Sequence, residues 1–234
     1  MVDRDERIPG EPNDFEITGE QQDERAGELG RLISLSDGVF AFAMTLLIVS
    51  IEVPQMTDDE AQKHLPRDIG DLWPQIISYV IGFLVIGFLW TSHRRIFSRV
   101  KDFDDRLTKL NIVLLMFVAF LPFVTGILGE YGSLAFPAVL FALVLATISG
   151  LFIMIVDHLD SNRNLVTRSG SDFDFARAKT RHLVTGGLFA LSIPLSLLVP
   201  GFGQLSWILL AFNHQISERI MPHLPKRFQE PGQS

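Results

Sequence analysis

Arg31 and Asp37 lie at the entrance of an apolar run, Val39 to Val53, within the stretch Arg31-Leu32-Ile33-Ser34-Leu35-Ser36-Asp37-Gly38. An arginine and a carboxylate at membrane depth must find partners or distort the bilayer, so such charges usually carry function. Asp37 needs donors. Trp90 and His93, three residues apart on one helix face, supply N–H groups and are followed at once by Arg94 and Arg95. Asn111, near the start of the next apolar run, is a third polar group at the same expected depth. The expectation is an interhelical network of Arg31, Ser36, Asp37, Trp90, His93 and Asn111. Taken singly, Trp90 also reads as an interfacial aromatic and His93 as a solvated helix end.

The elements that position these groups are membrane helices. In 234 residues, 47% are hydrophobic, too many for an ordinary soluble domain of this size. Six segments reach the roughly twenty apolar residues that span a bilayer core: 31–53, 73–97, 107–129, 134–157, 182–200 and 203–221. The fifth and sixth are parted only by Pro200-Gly201-Phe202-Gly203, a turn signal that also permits one long kinked helix. The expected organisation is a flexible acidic arm over 1–30, an all-α integral membrane domain of six transmembrane helices over 31–221, and a polar tail over 222–234. The arm lacks the basic start and cleavage site of a signal peptide. Basic residues gather after the second segment (Arg94, Arg95, Arg99, Lys101, Arg106, Lys109) and after the fourth (Arg163, Arg168, Arg177, Lys179, Arg181), against Lys63 and Arg67 on the other side. The asymmetry predicts a multi-pass protein of the cell membrane with both termini cytoplasmic.

The formal charge of -7 falls largely in the acidic arm, which argues against nucleic-acid binding, and the absence of cysteine excludes thiolate metal sites and cysteine nucleophiles. No His-Glu-x-x-His pair or nucleophile–base constellation appears, so an enzyme is not expected. His158, His182, His214 and His223 are scattered. On a helical wheel, Ser34, Gly38, Phe42, Thr45, Val49 and Glu52 share one face of the first segment, within about 80°. Such a mixed stripe suits either a helix-packing face or a surface that something other than lipid contacts.

Arg31-x-x-x-Leu35-Ser36-Asp37, followed by Gly38-Val39-Phe40-Ala41 and Thr45-Leu46-Leu47, resembles the Arg-x-x-x-Phe-Ser-Asp signature of the transmembrane protein 175 family of potassium channels, in its prokaryotic single-repeat form. Trp90-x-x-His93-Arg94 and Leu110-Asn111 through Leu121-Pro122-Phe123 resemble it too, over about 31–130. Leu35 stands where the motif has phenylalanine. The resemblance implies a homotetramer in the lipid bilayer, with the first helix of each subunit lining a central pore for monovalent cations, potassium among them, and no cofactor. It also implies an apolar constriction at Phe42, a threonine layer at Thr45 that potassium ions pass, and a further apolar layer at Val49. The Thr-Val-Gly-Tyr-Gly filter of ordinary potassium channels is missing from the sequence. Glu52, on the same stripe near the helix end, is expected at the external mouth. The competing expectation is a proton-coupled secondary transporter in which Asp37 and His93 relay protons, although no internal repeat of the Arg-to-Asp motif supports a two-halves transporter.

Overall fold

The structure, a computed structural model, describes residues 19–167 and 174–198. Helices follow in the order α1 (Gly19–Leu46), α2 (Asp58–Asp71), α3 (Trp73–Phe97), α4 (Asp105–Tyr131), α5 (Ala135–Ser161) and α6 (Phe175–Leu198), with short 3-10 turns at Leu47–Ser50 and Arg163–Leu165. All but α2 are long and apolar enough to cross a membrane. These five coincide with the first five expected spans, α3 over the same residues, 73–97. The sixth expected span 203–221, the turn at 200–203 and the tail 222–234 lie outside the described residues, as do residues 1–18.

The first helix begins at Gly19 rather than at residue 31, which corrects the inner boundary of the acidic arm. Glu, Gln, Arg and Ala are good helix formers. Two anchors hold the extension: Leu29 is buried, and the Arg25 guanidinium donates to Asp102 at 3.3 Å.

α4 is the central wall. It packs against α1 and α3 with one face and against α5 with the other, and α6 closes on α5. Its inward side chains, from Leu107 through Asn111, Leu114, Val118 and Leu121 to Leu128, are buried accordingly, Pro122 among them, whose missing N–H leaves the Val118 carbonyl without its helical donor. Close approach uses small residues, as expected where lipid removes any hydrophobic drive between helices. A methyl at Gly82 would lie 2.8 Å from Thr125 Cγ2, and one at Gly126 would lie 3.1 Å from Ser50 Cβ. α5 and α6 use the same device at Gly186, 3.0 Å from Ser149 Cβ.

At the basic end, the α3–α4 and α5–α6 connections pair through an isolated bridge between Val100 and Val166. The Lys101 amide donates to the Leu165 carbonyl and the Thr167 amide to the Arg99 carbonyl, both at 2.9 Å. Asp104 caps α4 by accepting from the Leu107 amide at 2.8 Å and also accepts from His158 Nε2 at 2.8 Å. Burial alone would raise the Asp104 carboxyl, but the Leu107 amide and the His158 ring outweigh it and hold it below the usual carboxylate range.

At the opposite end stands α2. Its start is a capping box in which the Thr57 amide and hydroxyl donate to the Glu60 carboxylate at 3.0 and 2.9 Å, keeping that carboxyl below its ordinary value. Pro74, second in α3, has no N–H for the Gly70 carbonyl and crowds the turn before it, so α2 and α3 are separate helices meeting at Leu72.

Candidate functional site

The first helix has two opposite faces. Leu29, Ser36, Phe40, Ala43 and Leu47 recur at the helical period and are buried against α3 and α4. About half a turn round lie Leu35, Gly38, Phe42, Thr45 and Val49, which no other helix among the described residues covers, with Phe42 65% and Val49 72% exposed. A shallow apolar groove of about 430 Å³ runs beside Phe42, between Leu35, Val39 and Leu46 of α1 and Ala119 of α4.

The buried face carries the polar contacts, in two separate sets. Ser36 Oγ donates to the Leu32 carbonyl at 2.9 Å and accepts from Asn111 Nδ2 at 3.0 Å. Asn111 Oδ1 in turn lies 2.9 Å from His93 Nε2, and because a carboxamide oxygen only accepts, that nitrogen carries the proton. His93 is fixed from both sides, stacked on Phe97 with ring centroids 4.1 Å apart and tilted against Phe40 at 5.4 Å. This set joins α1, α4 and α3 through side chains that are all buried. The second set lies nearer the surface: Trp90 Nε1 donates to Asp37 Oδ1 at 2.8 Å, and the Arg94 guanidinium sits 5.5 Å from the centroid of the same indole.

Five of the six residues expected in the network are thus brought together, but not as a single chain of contacts. Arg31 stays outside both sets. It is exposed and makes no hydrogen bond or ion pair among the described residues, because six residues of helix carry it about 9 Å along the axis and 240° round from Asp37. Asp37 and His93 have different partners, Trp90 and Asn111, so no hydrogen-bonded relay joins them. Leu35, which stands in for the motif phenylalanine, is 55% exposed on the bare face and takes no part in the internal packing.

Thr45 lies on the bare face with its hydroxyl proton donated to the Phe42 carbonyl at 2.8 Å. Its oxygen lone pairs are left facing outward. Beyond Leu46 the chain tightens into the 3-10 turn, where Ser50 Oγ donates to the Leu47 carbonyl at 2.7 Å, and Ile51 is already extended. The regular wheel therefore ends before Glu52, correcting the expected span to 53; each 3-10 residue turns about 120° instead of 100°. Glu52 is held by its backbone, its amide donating to Gln75 Oε1 at 3.3 Å while Gln75 Nε2 donates to Glu130 Oε2 at 2.9 Å. Sequence reasoning missed Gln75 and Glu130, and no local motif marks either.

This arrangement defines a polytopic α-helical membrane protein whose first helix is bonded firmly on one face and left bare on the other. The family model described as "Endosomal/lysosomal potassium channel TMEM175" matches residues 31–122. A Streptomyces collinus protein named as a potassium channel is 35% identical over 192 residues, 74% of this chain and 88% of that protein. A Chamaesiphon minutus protein, likewise named a potassium channel, is 42% identical over 104 residues, 44% of this chain and 51% of its own. The mouse endosomal/lysosomal proton channel TMEM175 is 25% identical over 233 residues, 94% of this chain but 44% of the mouse protein. The crystal structure of a lysosomal potassium-selective channel TMEM175 homolog from Chamaesiphon minutus superposes with a TM-score of 0.70 at 28% identity, covering 82% of this chain and 98% of that one. The chain belongs to the TMEM175 family.

Proposed function

We propose that the chain is the subunit of a potassium-permeable cation channel, a homotetramer in the cell membrane with cytoplasmic termini. The potassium channels among its relatives support the permeant ion, and one observation carries the pore: the bare stripe of α1. A helix that buries Ser36 against Asn111 of α4 on one side and leaves Phe42, Thr45 and Val49 uncovered on the other has a face to give to an axis. Four such stripes around a four-fold axis put four Phe42 rings at one level. Large apolar rings offer nothing to a hydrated ion, so the constriction dewets and favours the closed state. One turn further out, the Thr45 hydroxyls have spent their protons on the Phe42 carbonyls and present lone pairs, the polarity a dehydrating cation requires. Arg31 would lie at the basic mouth and Glu52 at the other, while the Ser36–Asn111–His93 and Asp37–Trp90 sets hold α1 against its own subunit.

Cation flux into proteoliposomes driven by a membrane potential tests the reading. Phe42→Ala is expected to raise basal potassium flux, and Thr45→Ala to reduce the preference for potassium over sodium with flux retained. If α1 faces lipid instead, Phe42→Ala leaves flux unchanged, and that result ends the pore assignment. Replacing potassium by a proton gradient in the same vesicles asks whether this chain carries the ion named for its mouse relative.

A further inference from the structure

α2 is the one long helix among the described residues that no other element covers. None of its residues is buried, and its only substantial neighbour is α3. Its sequence is nevertheless amphipathic after the first turn. With Leu65 as origin on a wheel, Ala61, Ile69 and Leu72 fall within about 40° of it, with Asp58 of the first turn in the same sector and Asp68 at its edge, whereas Glu60, Lys63, His64, Arg67 and Asp71 lie about 100° or more away. Leu65 is 37% and Ile69 is 49% exposed, so the apolar stripe is left open.

Three observations identify what covers it. Both ends of α2 are tied to membrane-spanning elements, through residues 51–57 to the end of α1 and through the single residue Leu72 to α3. At 14 residues it measures about 21 Å, too short to cross the roughly 30 Å hydrocarbon core. Beyond the break at Leu72, α3 also presents an exposed apolar side, with Trp73, Ile77, Val80 and Leu84 at helical spacing. Trp73, 63% exposed at the junction, is the residue type that settles at the headgroup level.

We infer that α2 is a membrane-surface helix, lying in the headgroup region of the leaflet opposite the basic end with Ala61, Leu65 and Ile69 pressed into lipid. Interfacial helices bury their apolar face about 5–10 Å below the headgroups and keep charge on the other side. The acidic character of α2, with Asp58, Asp59, Glu60, Asp68 and Asp71 against Lys63 and Arg67, assigns this contact to the hydrophobic stripe and not to attraction by anionic lipid. α2 then fixes the exit point of α1 from the membrane.

The chain has no cysteine, so single sites can be labelled in the full-length protein without removing others. Leu65→Cys, Ile69→Cys, Lys63→Cys and Arg67→Cys carrying nitroxides, reconstituted in liposomes, are compared for collision with oxygen, which partitions into lipid, and with a nickel chelate, which stays in water. The ratio of oxygen to nickel accessibility is expected to be several-fold higher at 65 and 69 than at 63 and 67, and unchanged when neutral lipid replaces anionic lipid. Equal nickel accessibility at all four sites places α2 in water and overturns the inference. Labels at 65 and 69 that are immobile and shielded from both reagents overturn it in favour of a protein partner such as a second subunit.

Discussion

Asn111 is the residue on which the buried polar set turns, and replacing it with leucine, close in volume, isolates its hydrogen bonds. Two contacts disappear, with unequal consequences. Ser36 loses the donor to its oxygen but still gives its own proton to the Leu32 carbonyl, so no buried donor is stranded there. His93 is different. Its Nε2 proton pointed at Asn111 Oδ1, its ring is clamped between Phe40 and Phe97, and it is 1% exposed, so neither a rotation nor water can satisfy it. A stranded buried donor costs about 1–3 kcal/mol, and interhelical hydrogen bonds in membranes average about 0.6 kcal/mol with a maximum near 1.7. Asn111→Leu should therefore cost about 2 kcal/mol, roughly a thirtyfold fall in the folding constant. Detergent-titrated unfolding in mixed micelles measures it. His93→Phe strands the Asn111 carboxamide instead and should cost a similar amount. The double variant removes both partners and leaves nothing unpaired, so its cost should fall short of the sum of the singles by about 1–2 kcal/mol. Strict additivity would refute the claim that the two side chains act on each other.

Gly82→Ala forces a methyl to 2.8 Å from Thr125 Cγ2, so it should lower stability by about 1–3 kcal/mol in the same unfolding assay, and Thr125→Ala in the same chain should recover most of that. Glu52→Gln should lower single-channel current in dilute salt and have little effect in concentrated salt, because surface charge is screened within about 10 Å at 0.1 M; equal effects at both would refute a role for charge at the mouth. Asp104 has a lowered carboxyl, so its contribution is present above the unfolded-state value and is lost as pH falls through the still lower folded-state value. The stability gap between wild type and Asp104→Asn should accordingly stay flat from neutral pH into mild acid and close only in stronger acid; a gap already closing in mild acid would refute the assignment to this carboxyl.

The first five spans and the buried polar residues are legible because both depend on local sequence. Apolar length marks α3 at both ends, and helical period puts Ser36 and Phe42 on different faces of α1, while only the packing against α3 and α4 shows which face is inward. How the polar groups pair was not legible. Asp37 and His93 were expected to answer each other, yet the choice of Trp90 for one and Asn111 for the other depends on how α3 and α4 are turned about their axes, which tertiary packing sets. The charge of Arg31 suggests a place in the network, but its position round the helix from Asp37 separates the two. The reach of the wheel to Glu52 failed because nothing in Leu47–Ser50 announces a 3-10 turn. α2 did announce itself: Thr57-x-x-Glu60 is a capping-box signature before an amphipathic run, hidden beneath a search for spans alone.

The position of α4 between two pairs of helices also orders events in time. Every hydrogen bond of both polar sets is made among residues 32 to 111, and α4, which supplies Asn111, is complete at Tyr131. α1, α3 and α4 can therefore lock together while α5 and α6 are still being synthesised, as N-terminal units generally do. The later pair meets a wall already built and attaches to it at the basic end through His158 to Asp104 and Thr167 to Arg99. A ribosome stalled after α4 would hold a unit of three membrane-spanning helices with its polar contacts in place, and a lesion in α5 or α6 would leave that unit inserted but uncovered on one side.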